Sequence, residues 1–514
     1  MRGMIKKVSR TKNSIRNIKY AIVGQFTGLT ISFINRMIFV HVLTSEYLGV
    51  GGLFTSILSM LSLAELGIGS AIVYSLYKPL AEKNNEKIKS LMLLYRKAYT
   101  IIGIAISILG ILLTPFLGFF IKELPTIDNL RLIYILFVLN SAFSYFYSYK
   151  RSLIIADQKR HITTLYRYTF YFILNSTQII MLLLTKNYVI YLILVLLNTI
   201  LENYVISKKA NKLYPYLLDK EVNPLDINTK ATIRKNVNAM IFHKIGSLVV
   251  SGTDNILLSK YVGISVVGIY SNYLLIIQAL HTVINMIYTG ITSSIGNLGA
   301  TESKEKLEFT FNALNFLGFW AYGISSIALV VLLNPFISIW LGDNYLFGNK
   351  MVLVIIINYY LTGMRRCTIT FRDALGLYWY DRYKAIFESI INLVASMLLI
   401  HSFGAIGVLI GTTISTISTC FWVEPHILYK YGFGKRSLHY FKNYFKYTIV
   451  TLSVGLITWT VCEWLVSLVS SMFLFRFLIA IILPNLLFTV IFRNSVEFKY
   501  LINVARSQIF IGKV

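Results

Sequence analysis

The stretch IKYAIVGQFTGLTISFINRMIFVHVL (18–43) follows a basic run, MRGMIKKVSRTKNSIRN (1–17), and decides what kind of protein this is. About 20 mostly apolar residues suffice to cross a bilayer as a helix. Inside lipid every backbone amide must find its partner within the segment. No small-residue cleavage site follows, so the stretch reads as a retained first helix and not as a signal peptide. The basic run places its start at the inner leaflet, where Lys and Arg accumulate.

Working outward, thirteen more apolar runs lie between charge clusters and Gly, Pro or Asn breaks. The expected spans are 18–43, 50–77, 95–121, 131–155, 163–185 and 188–207, then 233–258, 266–295, 309–340, 350–371, 383–402 and 404–429, and last 444–468 and 471–493. The chain has 514 residues, 56% hydrophobic and 14% charged. Soluble domains carry about 25% charged residues, so the class is an all-α polytopic membrane protein of about 14 transmembrane helices.

Charge supports the count. With the N-terminus in the cytoplasm, and cations at span ends counted with the loop they adjoin, 41 of the 49 Lys and Arg fall in cytoplasmic segments. On the same count the external side holds Lys122, Arg131, Lys186, Lys260 and Lys350, while Arg36, Lys244 and Arg476 lie deeper within spans. A miscounted helix would invert every later loop, so both termini are expected in the cytoplasm of a bacterial inner membrane. The net charge of +27 then reflects loops facing anionic membrane lipids, and nucleic acid is excluded as a partner. Cys367, Cys420 and Cys462 lack metal-ligand spacing and read as small core residues. No metal and no cofactor is expected.

Sliding the chain on itself by 219 residues sets Gly49 on Gly268, Ala81 on Ala300, and Glu86-Lys87 on Glu305-Lys306. The unit is six helices, an even number, so both copies share one orientation. Two six-helix lobes related by a pseudo-twofold along the membrane normal are expected. The division is 1–207, a cytoplasmic connector 208–232, a second lobe 233–429, and two additional helices with a tail, 430–514.

Ionised groups inside a bilayer need a partner or a hydrated cavity. Helix one places Gln25, Gly28, Ser32 and Arg36 on one face, and helix seven does the same with His243, Ser247, Ser251 and Asp254, with Lys244 beside them. The spacing predicts that the two stripes face each other across a hydrated central cavity. Helix eight adds Gln278, His281, Asn285 and Thr289 on one face. Glu65 stands mid-span in LAELGIGSA, and Glu388 with Asn392 lies in helix eleven. Glu202 and Glu424, near cytoplasmic ends, are expected to be interfacial. Arg36 and Lys244 are candidate anion contacts, with Gln25, Ser32, His243, Gln278 and His281 beside the cargo. Asp254, Glu65 and Glu388 are candidates for gating or for coupling to an H⁺ or Na⁺ gradient.

At NRMIFVHVLTSEYLGVGGLF (35–54), LAELGIGSAIVYSLYKPLAEKN (63–84) and NPFISIWLGDNY (334–345), the chain resembles Wzx-type polysaccharide flippases. These form the polysaccharide transporter branch of the multidrug/oligosaccharidyl-lipid/polysaccharide exporter superfamily. The resemblance spans roughly residues 18–430; the last two helices match by topology only. It implies alternating access and a polyprenyl-pyrophosphate-linked oligosaccharide as cargo, specifically undecaprenyl-linked capsule or O-antigen repeat units. It also implies that Arg36 is the cation that receives the pyrophosphate, and it makes a polysaccharide polymerase and glycosyltransferases plausible partners. The alternative is a cation-coupled multidrug antiporter of the same superfamily, which relies on an acidic helix-one residue where this chain has Arg36. An enzyme is not expected, since no phosphate loop, metal cluster or nucleophile motif is present.

Overall fold

The computed structural model describes residues 23–511 apart from positions 66, 220, 228, 232, 235–236, 238–251 and 469–472. Among the described residues there is no strand, and nine helices are long and apolar enough to cross a membrane, ten with one bent pair. The protein is an all-α polytopic membrane protein. Helices occupy the places of all fourteen expected spans; of the seventh, the described residues are 233–234, 237 and those from 252 onward.

The chain divides into two compact units, Met1–Gly268 and Ile269–Val514. In the first, α1 covers 23–42 and is followed by α2 (Ser45–Leu61), α3 (Ile68–Glu82), α4 (Asn85–Leu113), α5 (Leu130–Tyr145), α6 (Ser148–Ala156), α7 (Arg160–Thr185) and α8 (Tyr188–Leu213). A short segment α9 (252–257) leads through a π turn into α10 (Ile264–Thr301), whose first residues belong to this unit. The second unit continues with α11 (Lys304–Leu341), α12 (Asn349–Met364), α13 (Arg366–Ala374) and α14 (Lys384–Phe403). Next, α15 (Ala405–Ser415) and α16 (Phe421–Ile427) form one rod, Ala405–Phe433, through two π-helical stretches. The chain closes with α17 (Leu438–Leu468), α18 (Phe473–Phe492) and α19 (Val496–Ile511).

The 219-residue repeat is visible in the element starts: Ser45 and Ile264, Asn85 and Lys304, Leu130 and Asn349. The helix-start chemistry repeats too. Asn84 accepts from the Lys87 amide before α4, and Ser303 from the Lys306 amide before α11, each satisfying an orphan donor. In the first unit, a Cβ added at Gly49 would overlap the Ile264 carbonyl, and one added at Gly268 would overlap the Ser45 carbonyl. Ser45 and Ile264 are themselves repeat mates, so the contact is reciprocal, as a local twofold requires.

Apolar packing fixes each unit. In the first, Phe54, Tyr134, Val138 and Tyr188 form one cluster, and Ile88, Leu91, Tyr95, Leu153 and Ile206 another. In the second, α11 is the spine: Phe319 stacks on Tyr447 at 4.3 Å and on Phe488 at 4.9 Å. Trp320 donates to Asn485 at 3.0 Å, so the two helices beyond the repeat dock on the ninth span. Their other faces carry Leu452, Leu456, Leu486 and Val490 exposed, as lipid-facing helices do. All three cysteines are free and buried.

The connector 208–232 is held to the start of α4. Lys89 bonds Asp219 at 3.3 Å, Ser90 donates to the Asn223 carbonyl at 2.6 Å, and Lys87 lies 3.4 Å from Asp226. Hydrogen bonds from the Thr229 hydroxyl and amide, with Lys87 nearby, hold the Asp226 carboxyl down at about 2.

Candidate functional site

Three polar constellations stand among the apolar helices. The first surrounds Arg36. Asn35, almost fully buried, donates to Asn175 at 2.6 Å and to Gln178 at 3.1 Å on α7. Arg36, next along α1, is half-buried and within electrostatic reach of Tyr171, Tyr188 and Tyr191. A turn and more away, Tyr168 donates to Gln25 at 3.1 Å, and its ring lies against Gly24 and Gly28. The helix-one stripe therefore meets the fifth and sixth spans of its own unit, a neighbourhood that spacing along one helix does not reveal. Ser32 is half-buried on the same helix. His243 and Lys244, the helix-seven half of the expected site, lie outside the described residues. Asp254 is half-buried in α9, next to Asn255, which donates to Ser56 at 3.0 Å.

The second constellation is built by the run LGIG. Gly67 adopts a left-handed conformation (φ 77°) that ends the turn after α2 and starts α3. Gly69 leaves space that a Cβ would deny to the Tyr99 hydroxyl and to Glu65. Tyr99 consequently donates to Glu65 Oε1 at 2.7 Å; Tyr95 donates to Tyr99 at 3.3 Å and lies 3.1 Å from Ser152 on α6. Four groups thus form a hydrogen-bonded chain between a mid-span carboxylate and the short helix α6.

The third constellation went unread in the sequence. Arg365 grips Glu424 with two bonds, Nε to Oε2 at 3.0 Å and Nη2 to Oε1 at 2.8 Å, and stands 3.7 Å from Glu388. Lys384 bonds the same Glu424, and Arg372 bonds Asp381. Glu424 has no exposed surface and Asp381 only 3%. This corrects the expectation of an interfacial Glu424: contact with water and headgroups is replaced by a fully buried ion-pair network. Glu388, expected to couple an ion, stands beside Arg365 in it. The first unit has a smaller version, Arg151 bonding Glu202 at 2.6 Å and Asn203 at 3.2 Å.

On α10, Gln278 is exposed. His281 is half-buried, with Nδ1 3.4 Å from the Tyr322 hydroxyl and its ring 4.6 Å from that of Tyr359. Tyr359 in turn lies 2.8 Å from Ser325. Among the described residues no group of three or more His, Cys, Asp or Glu side chains is placed to hold a metal ion.

The fold is that of an all-α polytopic membrane protein whose chain divides into two helical units. No protein-family model matches the sequence, and no curated protein matches it. Among solved structures, the chain is similar to lipid II flippase MurJ in an inward closed conformation, with TM-score 0.62, 16% identity, and coverage of 93% of this chain and 99% of that one. It is also similar to an inward-facing multidrug resistance MATE family transporter of the MOP superfamily, with TM-score 0.62, 14% identity, and 78% and 94% coverage. A mutant of the Vibrio cholerae MATE transporter VcmN aligns with TM-score 0.54, 13% identity, and 80% and 95% coverage. At these identities the likeness is one of fold.

Proposed function

We propose that the chain is a flippase that moves a polyprenyl-pyrophosphate-linked oligosaccharide from the inner to the outer leaflet by alternating access, in capsule or O-antigen biosynthesis. The observation that carries this reading is the Arg36 surround: one half-buried cation among tyrosines, beside a buried amide cluster. Such a cargo has a charged pyrophosphate, many hydroxyls and a lipid tail. A guanidinium suits the first through charge-assisted bonds, and Tyr, Asn and Gln suit the second. The tail stays in hydrocarbon while the head passes through polar side chains.

In this reading Lys244, Gln25, Ser32, His243, Gln278 and His281 join Arg36 along the path. The lobes 1–207 and 233–429 rock about the fixed site, both termini remain in the cytoplasm, and the additional helices 430–514 flank the second lobe. The protein performs transport and no bond-making chemistry; polymerase and glycosyltransferases work on either side of its step. Glu65 is the preferred coupling group, because its chain through Tyr99 and Tyr95 to Ser152 offers a proton route. Asp254 would pair with Arg36 in one access state and release it in the other; rescue of single charge reversals by the double reversal tests that pairing. The main test is transfer of a lipid-linked oligosaccharide in proteoliposomes. Arg36→Ala should abolish transfer at normal protein level, and full activity in that variant would remove Arg36 from the role.

The second reading, a cation-coupled multidrug antiporter, draws on the same Glu65, an acidic group in a span. Efflux of a cationic dye from the reconstituted protein separates the two.

A further inference from the structure

Two consecutive arginines open the bend after α12, and they have opposite surroundings. Arg365 is committed to Glu424 and Glu388. Arg366, about 100° further round the helix, points elsewhere. Its Nε is buried without a hydrogen-bond partner, and among the described residues no carboxylate lies within ion-pair distance of it. The groups that feel its charge are His281, Tyr288 and Tyr322, on α10 and α11. Tyr288 and Tyr322 are buried, His281 and Arg366 half-buried.

Depth is informative. Arg366 lies 17 residues beyond Asn349 and His281 17 beyond Ile264, about 25 Å along their helices at 1.5 Å per residue. With a hydrocarbon core of about 30 Å, both sit past the midplane, in the half of the membrane nearer the inner leaflet in the proposed orientation. A half-buried guanidinium without a carboxylate is costly unless an anion visits it. Its planar fork fits two phosphate oxygens better than it fits a single point charge.

We propose that Arg366, with His281 and the Tyr322 hydroxyl near it, is an oxyanion subsite that receives a phosphate or pyrophosphate group in the inner half of the membrane. The subsite rests on the flippase reading for its cargo and stands one residue from the Arg365 network that fixes the backbone. Its ligand chemistry has two sources, the pyrophosphate of the cargo and the phosphate of a bulk anionic lipid.

The purified full-length protein in nanodiscs tests this in two arms, one titrated with inorganic pyrophosphate, the other comparing discs with and without phosphatidylglycerol. The readout is the melting temperature. Wild type should be stabilised, and Arg366→Gln should weaken the response at least tenfold in midpoint concentration, whereas Lys78→Gln, at an exposed surface position, should respond as wild type. Loss in the pyrophosphate arm assigns the site to the cargo; loss in the lipid arm alone assigns it to headgroups. An unchanged response of Arg366→Gln in both arms overturns the subsite. Should that variant fail to fold, phenylglyoxal labelling of the wild type replaces it. Pyrophosphate or phosphatidylglycerol should protect residue 366, and labelling unaffected by either overturns the subsite. Because neither arm measures translocation, a failed binding site and a failed flippase reading give different results.

Discussion

Residues 45–82 and 264–301 have matching ends, yet the first is two helices and the second is one. Gly67 breaks the first; Met286 occupies the same register in the unbroken second. The break lies next to Glu65, and its turn brings that carboxylate to Tyr99. A second difference follows at the inner ends. In the first unit Glu202 is met by one cation, Arg151, whereas three cations converge on Glu424 and Asp381 in the second. The comparison teaches that the shared scaffold sets lengths and caps, while departures from it are where titratable groups are placed, as expected when function overrides local regularity.

The largest effect should separate the two inner ends. Glu424→Gln leaves Arg365 and Lys384 buried without their carboxylate and should cost about 3–5 kcal/mol. Glu202→Gln, at a pair more open to solvent, should cost about 1 kcal/mol. Melting of the purified variants in detergent measures both, and equal losses would break the comparison. Next, Gly49→Ala and Gly268→Ala should each destabilise by about 1–3 kcal/mol through overpacking, and by similar amounts because their contacts are mates. A large effect at one position alone would contradict the local twofold. Gly67→Ala should then cost about 1–2 kcal/mol for its left-handed backbone, while Met286→Ala on the intact helix should leave that helix continuous. Hydrogen exchange across 62–70 against 281–289 reads the difference. Smallest is Tyr99→Phe, which removes one hydrogen bond to Glu65 at about 0.5–1.5 kcal/mol. Its expected signature is a changed pH profile of transport with little change in melting.

The helices were legible from the chain because lipid allows only self-satisfied segments, so hydropathy reports almost directly on them. The repeat was legible through a handful of matched residues, Gly49 with Gly268 among them, while its matching helix caps were seen only in the fold. The break at Gly67 was not, since a single left-handed residue inside an apolar run leaves the hydropathy pattern intact. Glu424 was misjudged for a related reason. Position near a helix end suggested water, but its partners Arg365 and Lys384 are 59 and 40 residues away in sequence, and only packing unites them. Arg365 and Arg366 were hidden because they end an apolar run and resemble ordinary loop charge. The helix-one stripe was seen as a stripe, while its neighbours on α7 and α8 required the fold.

The reciprocal fit of Gly49 on Ile264 and Gly268 on Ser45 has an electrical side. Where two backbones touch with no side chain between them, there is no crevice wide enough for a file of water. That seam is expected to act as an insulator. Widening it by one methyl group is expected to open a leak before it alters any of the three polar constellations, and dissipation of a pH gradient across sealed vesicles would register it.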